Sequence, residues 1–151
     1  MAFLNLKELQ LLGLNKFGDN VLISDKCSII NAGNISLGSN VRIDDFTILS
    51  AGTEITIGSY VHIGCYSSLI GKGKIVLEDF VTISGRVSIY SSTDDYIGIG
   101  MTGPMIPDGY RNVTNKDVII KKFAIIGSGS VILPGALLNE GCSIGALSLV
   151  K

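Results

Sequence analysis

Along most of this chain a large aliphatic or aromatic residue recurs at every sixth position. Written from Phe17 in rows of twenty, FGDNVLISDKCSIINAGNIS is followed by LGSNVRIDDFTILSAGTEIT, IGSYVHIGCYSSLIGKGKIV and LEDFVTISGRVSIYSSTDDY. The large set is Phe17, Ile23, Ile29, Leu37, Ile43, Leu49, Ile57, Ile63, Leu69, Leu77, Ile83 and Ile89. After a break it resumes at Ile120, Ile126, Ile132, Leu138, Ile144 and Val150. On a 46% apolar background, chance gives such agreement with a probability on the order of 10⁻⁶, before allowing for the choice of register.

A second set, four residues after each large one, is small or β-branched. One of its columns holds Val21, Val41, Val61, Val81 and Ala124; another holds Cys27, Thr47, Ser67, Val87, Ser130 and Ser148. Glycine often follows the large residue, as at Gly18, Gly38, Gly58, Gly64, Gly127 and Gly145. An α-helix repeats every 3.6 residues and cannot hold a strict period of six, whereas short strands joined by tight turns can. Three hexads close one triangular coil, and coils stack at about 4.8 Å, the spacing of paired strands. The pattern therefore predicts an all-β parallel β-helix, with large residues inside the prism, small ones at its corners and polar ones facing out. Each twenty-residue row has two residues beyond three hexads, such as Ile55-Thr56 and Ile75-Val76, which lengthen one corner; Ile120 to Leu137 is a pure turn of three hexads.

Two segments fall outside the period. Residues 1–16 contain LNLKELQLLGL, whose helical spacing predicts a short amphipathic helix capping the open end of the prism. The column of Ile35, Ile55 and Ile75 reaches Asp95 in the fourth row and recovers only near Val118. A protruding loop at about 93–117 accounts for this, within a single domain whose coils span 17–96 and 118–151. Loops longer than about 12–15 residues inside a compact domain are usually functional.

Composition narrows the class. Twelve basic against thirteen acidic side chains leave a formal net charge of -1, with no basic surplus for a nucleic-acid partner. No apolar run approaches the roughly 20 residues of a membrane span, and the N-terminus lacks the features of a signal peptide. Cys27, Cys65 and Cys142 form no CxxC and read as core or turn residues of a chain in the reducing cytoplasm.

The hexads, with IYSSTDDYIG, MTGPMIP and VIIKKFAIIGSGSVILPGALLNEGCSIGALSLV, resemble the hexapeptide-repeat acyltransferases of the galactoside/maltose and xenobiotic acetyltransferase branch. The likeness is strongest to bacterial members that acetylate O-antigen or capsule sugars, such as perosamine N-acetyltransferases, and it spans Phe17 to Val150. It implies a left-handed β-helix, a homotrimer, acetyl-CoA as donor in a groove between adjacent prisms, a nucleotide-linked sugar acceptor and a role in lipopolysaccharide biosynthesis. Two departures stand out. Galactoside-type members read T-H-P where this loop begins with Thr93-Asp94-Asp95, and the group continues in a short tail beyond the position of Lys151.

Acyl transfer needs a base for the attacking amine or hydroxyl and a donor to the thioester oxyanion. His62, the single histidine, lies in an outward column between Arg42 and Thr82 and is the candidate base, since imidazole titrates near working pH. Asp94 leaves a different corner; in a trimer it would reach His62 of a neighbouring prism, orient the imidazole or hold the acceptor, or it would stay solvated in a turn. Asp95, Tyr96, Tyr110 and Asn112 are candidate acceptor contacts. Ser128, Gly129, Ala146 and Ser148 are small enough for a pantetheine arm to approach backbone groups, and Lys121 and Lys151 are placed to meet CoA phosphates. No metal is expected: zinc on this fold takes three histidines. The alternatives are an acyltransferase for an amino acid or another small metabolite, and a non-catalytic scaffold.

Overall fold

The computed structural model describes residues 1–151. A short helix, α1 (Leu6–Leu11), opens the chain, with Asn5 and Glu8 exchanging backbone and side-chain hydrogen bonds in a capping box. Leu9 is buried, and Leu4, Leu12 and Leu14 pack on the same core. The segments flanking α1 cover the free edge of the first coil. Leu4 N–H donates to Ile23 O, Asp25 N–H to Ala2 O, and Asn15 N–H to Ile35 O. The expected cap is therefore a helix plus two edge-covering strands of chain.

The first coil comprises β1 (Val21–Ile23), β2 (Ser28–Ile30) and β3 (Ile35–Leu37), and the second β4 (Val41–Ile43), β5 (Ile48–Ala51) and β6 (Ile55–Ile57). The third has β7 (Val61–Ile63), β8 (Ser68–Gly71) and β9 (Ile75–Leu77). The fourth begins with β10 (Thr82–Ile83) and β11 (Ser88–Tyr90). There the loop leaves through β12 (Ser92–Thr93) and returns through β13 (Thr114–Asn115), before β14 (Val118–Ile120) completes the coil. The fifth is β15 (Ile125–Ile126), β16 (Val131–Ile132) and β17 (Leu137–Leu138), and β18 (Ser143–Ile144) and β19 (Leu149–Val150) end the chain.

These strands form the three flat faces of a left-handed parallel β-helix. Face 1 runs β1-β4-β7-β10-β15-β18, face 2 β2-β5-β8-β11-β16-β19, and face 3 β3-β6-β9-β14-β17. The predicted columns are the observed ones: Ile23, Ile43, Ile63, Ile83 and Ile126 are fully buried on face 1, as are Leu49, Leu69, Ile89 and Ile132 on face 2. Phe17, Ile29, Ile144 and Val150 are only partly buried, because they lie in the outermost turns, where one side lacks a full neighbouring coil. Polar members of the small columns are satisfied between coils. Ser67 Oγ donates to Ser84 O at 3.1 Å and accepts from Val87 N–H at 3.2 Å; Ser130 does the same with Gly145 O and Ser148 N–H. Burial pushes the Cys27 thiol up to about 11, as befits a corner-filling rather than reactive cysteine.

The lengthened corner exists, but the extra residues are not those expected. Ile55 and Ile75 are buried members of β6 and β9. The added length lies instead before each strand, in residues 52–54 and 72–74, at the corner between faces 2 and 3. Another column of corners carries the left-handed conformation on Asn20, Asn40, Tyr60, Phe80 and Phe123, with φ from 53° to 62°. Such backbone disfavours bulky side chains. Identical corners, however, stack the rings of Tyr60, Phe80 and Phe123 with centroids 5.0 Å apart, a favourable arrangement that offsets part of the cost.

The loop emerges at that lengthened corner, opposite face 1. The antiparallel ladder of β12 and β13 (Ser92↔Asn115, Thr93↔Thr114) closes its base. Asp95 is buried and its carboxylate accepts from Ile97 N–H and Gly100 N–H; these backbone donors, Gly100 first, hold it below the usual carboxylate range.

Leu69→Ala in the middle of the stack is expected to cost about 2–5 kcal/mol, and Val150→Ala at its open end clearly less, as read by urea denaturation. Amide protection at Ile97 and Gly100 is expected to be full above about pH 3.9, the unfolded aspartate value, and lost as pH falls through the lower folded value of Asp95. Hydrogen exchange measures it, and Asp95→Asn should remove the pH dependence.

Candidate active site

Face 1 sets three polar side chains side by side because its register is strict. Arg42 pairs with His62, and His62 with Thr82, in the middle column of β4, β7 and β10. Asp44 lies just past β4, and its two oxygens divide between Arg42 Nε at 2.7 Å and His62 Nε2 at 2.9 Å. A carboxylate only accepts, so His62 Nε2 carries the proton of that bond, and Nδ1 is the ring atom available as a base. Burial alone would raise the Asp44 carboxyl, but the hydrogen bonds from Arg42 and His62 outweigh it and hold it below the usual range. Arg42 is itself held, its guanidinium 5.5 Å from the centroid of Phe3.

The His62 side chain is 43% exposed on this face, as its outward column requires. Its carboxylate partner within the chain is Asp44, which the sequence reading did not single out. The row period contains the signal, since Asp44 stands two places beyond Arg42, diagonally below His62. The column of Asp44 continues upward through Gly64, Ser84, Gly127 and Gly145, each N–H but the last donating to the carbonyl of the coil above. A Cβ on Gly64 would lie 2.6 Å from Gly85 N and 2.8 Å from Ser84 C, so the strip stays narrow. Ser84 is half-buried there; its N–H and carbonyl are used by Ile126 and Ser67, and its hydroxyl takes no part in those bonds.

The loop carries a second group of candidate side chains. Asp94 Oδ2 accepts from Gly103 N–H at 3.0 Å, and Oδ1 lies 3.3 Å from Arg111 Nη2. Arg111 also meets Asp108 through Nη1 at 3.5 Å, while its Nε is buried without a partner. Asp94 and Tyr96 line a cavity of about 600 Å³ with Tyr90, Val131 and Leu133. Beneath the loop a second cavity of about 580 Å³ includes Lys72, Asp108 and Arg111. Ser92 borders both. Tyr110 and Asn112 are exposed and line neither, and Asp95 is spent on the loop backbone.

Of the cofactor candidates, Ser128, Gly129, Ala146 and Ser148 meet at one corner, between faces 1 and 2 of the last coils, next to the Ser84 column. Leu147 N–H donates to Ser128 O, and Ser148 N–H to Ser130 Oγ. Lys121 stands at the other edge of face 1, before β15, and Lys151 follows β19 on face 2. One prism therefore does not bring Lys121 to the serine-lined corner, nor Asp94 to His62, since the loop leaves from the vertex opposite face 1.

No family model matches the chain. It is 51% identical over 152 residues to a dTDP-4-amino-4,6-dideoxy-D-glucose acyltransferase of Escherichia coli, covering 100% of this chain and 79% of that protein. Among solved structures it resembles AntD, an N-acyltransferase from Bacillus cereus, in complex with dTDP and 3-hydroxybutyryl-CoA: 48% identity, TM-score 0.95, 99% of this chain and 79% of that one. A further AntD complex, with dTDP-4-amino-4,6-dideoxyglucose and coenzyme A, is of a variant replaced at its Ser84, with 47% identity, TM-score 0.95 and the same coverage. Other AntD structures replace its Asp94; this chain carries a serine and an aspartate at those same numbers. The polysialic-acid-specific acetyltransferase NeuO shares the fold at 20% identity and TM-score 0.54. With two independent relatives near half-identical over its whole length, the chain belongs to the dTDP-4-amino-4,6-dideoxyglucose acyltransferases, CoA-dependent enzymes built on the left-handed β-helix.

Proposed function

We propose that this enzyme transfers an acyl group from acyl-CoA to the 4-amino group of dTDP-4-amino-4,6-dideoxyglucose, with Asp94 as the base. The observation that carries this reading is the Asp94 carboxylate, held by Arg111 and Gly103 N–H at the edge of a cavity large enough for a sugar. The amine nitrogen attacks the thioester carbonyl, a C–N bond forms as the C–S bond breaks, and the nitrogen's proton passes to Asp94 and then to the departing CoA sulfur. Ser84 Oγ donates to the carbonyl oxygen as it gains charge. The donor arm lies along the small-residue strip of Ser84, Gly127 and Gly145, beside Ser128, Gly129, Ala146 and Ser148. AntD's complex with 3-hydroxybutyryl-CoA favours a donor class wider than acetyl-CoA.

Because Ser84 borders face 1 and Asp94 leaves the opposite vertex, the site is composite: a homotrimer sets face 1 of one prism against the loop of the next. The enzyme works in the cytoplasm, where nucleotide sugars and acyl-CoA meet, and supplies a surface polysaccharide such as lipopolysaccharide. A second reading of the base rests on the His62–Asp44 pair, an imidazole already oriented by a carboxylate in the manner of a catalytic dyad.

Asp94→Ala is expected to lower kcat with this acceptor at least ~100-fold and His62→Ala less than ~10-fold; the reverse order transfers the base to His62. Ser84→Ala and Asp94→Ala, each nearly inactive alone, are expected to regain activity when co-expressed, because a mixed trimer rebuilds some sites from two intact halves. Mixed trimers without activity would place both residues in one prism's site.

A further inference from the structure

Asp94 lines the chamber with Tyr90, Tyr96, Val131 and Leu133, but the cation that holds it stands outside that chamber. Oδ2 accepts from Gly103 N–H at 3.0 Å, and Oδ1 lies 3.3 Å from Arg111 Nη2. Gly103 presents that N–H from a backbone with φ 107°, which favours glycine. A carboxylate has about four lone-pair sites, so one donor on each oxygen fixes its plane and leaves sites for a proton from the chamber.

Closing the loop does not require a guanidinium. The ladder of β12 and β13 joins its base, Asp95 binds Ile97 and Gly100, and Met101 N–H donates to Tyr110 O across its arms. Arg111 works against stability: its side chain is only 18% exposed, and its Nε is buried without an acceptor. An apolar side chain would fill the same place without desolvating a charge. Its other partner, Asp108, is 90% exposed and 3.5 Å away, too loose a contact to account for the burial. The carboxylate that a buried cation serves here is Asp94.

We propose that Arg111 is a positioning residue for acyl transfer, acting through Asp94 by holding that carboxylate at the angle from which it takes the amine proton. The assignment deepens the reading of Asp94 as the base and rests on it. Arg111 stays behind the carboxylate and does not touch the reacting atoms. It also ties the two arms of the loop together, since Asp94 stands where the loop leaves and Arg111 on its return, bridged to Met101. The base is therefore in place only when the return arm is. A lysine would carry the charge without the planar fork that meets Asp94 through Nη2 and Asp108 through Nη1.

A double-mutant cycle on kcat, with dTDP-4-amino-4,6-dideoxyglucose and acyl-CoA, tests this. Arg111→Ala is expected to lower kcat about 10- to 100-fold, as a small misplacement of a reacting group does, with KM for acyl-CoA within ~2-fold. Asp94→Ala/Arg111→Ala is expected to match Asp94→Ala within ~3-fold, because a residue acting through Asp94 has no further effect once Asp94 is gone. Arg111→Lys should recover part of the loss, and free guanidinium ion should speed Arg111→Ala but not the double variant. Amide protection at Ile97 and Gly100 reports whether the loop stays closed. If Arg111→Ala loses that protection, Arg111→Met, which fills the space without charge, goes through the same cycle.

Unchanged kcat in the variant with a closed loop overturns the proposal, and so does a double variant at least ~10-fold below Asp94→Ala. A loop opened by both substitutions, or a loss that neither lysine nor guanidinium restores, makes Arg111 a structural clamp and overturns it too. Full activity in Asp94→Ala is a separate result: the base reading itself fails, and the role of Arg111 falls with it.

Discussion

Everything in this molecule depends on the parallel hydrogen-bond ladder between successive coils. Each N–H of a coil finds its carbonyl in the next, so a residue is always set beside its equivalent one row away, as Arg42 is beside His62. That repetition makes the core a set of columns, with Ile43, Ile63 and Ile83 touching like with like. It also explains why bulky residues accept left-handed corners, since Tyr60, Phe80 and Phe123 gain ring-on-ring contact only because their corners superimpose. Buried Ser67 and Ser130 bind one coil to the next by the same geometry.

A ladder this regular gives rigid faces and no concave site of its own. Chemistry enters in two ways. On face 1, columns place unlike residues diagonally, so that Asp44 holds both Arg42 and His62. At the opposite vertex the chain departs from the stack altogether, and the departing segment is folded by its own polar side chains: Asp95 on Ile97 and Gly100, Asp94 on Gly103 and Arg111. These carboxylates give the loop the order that the coils obtain from apolar burial.

The prism was legible because one property, an apolar residue every sixth position, is dictated by geometry and repeats through five coils. The loop's position followed from the same signal, as the place where the period stops. What the period does not encode was not legible. A period of six says that each row holds two further residues but not where in the row they fall; the ladder sets Ile55 opposite Ile75 within β6 and β9, so the added length lies at Gly52 and Gly73. A single column does not reveal Asp44, which meets His62 only on the diagonal, and Ser84, a serine after a large aliphatic, has the character of an ordinary turn residue. Arg111 gave no signal at all: its place against Asp94 depends on how the loop closes through β12 and β13.

That closure has an evolutionary consequence. Because Ser92 and Asn115 are paired neighbours, the excursion begins and ends at almost the same point, and the coils above and below meet as though nothing had been inserted. The scaffold's stability is thereby insulated from the segment that carries Asp94 and Arg111. Selection can lengthen, shorten or replace that segment like an exchangeable cartridge, and one prism architecture can be retargeted from sugar to sugar without refolding.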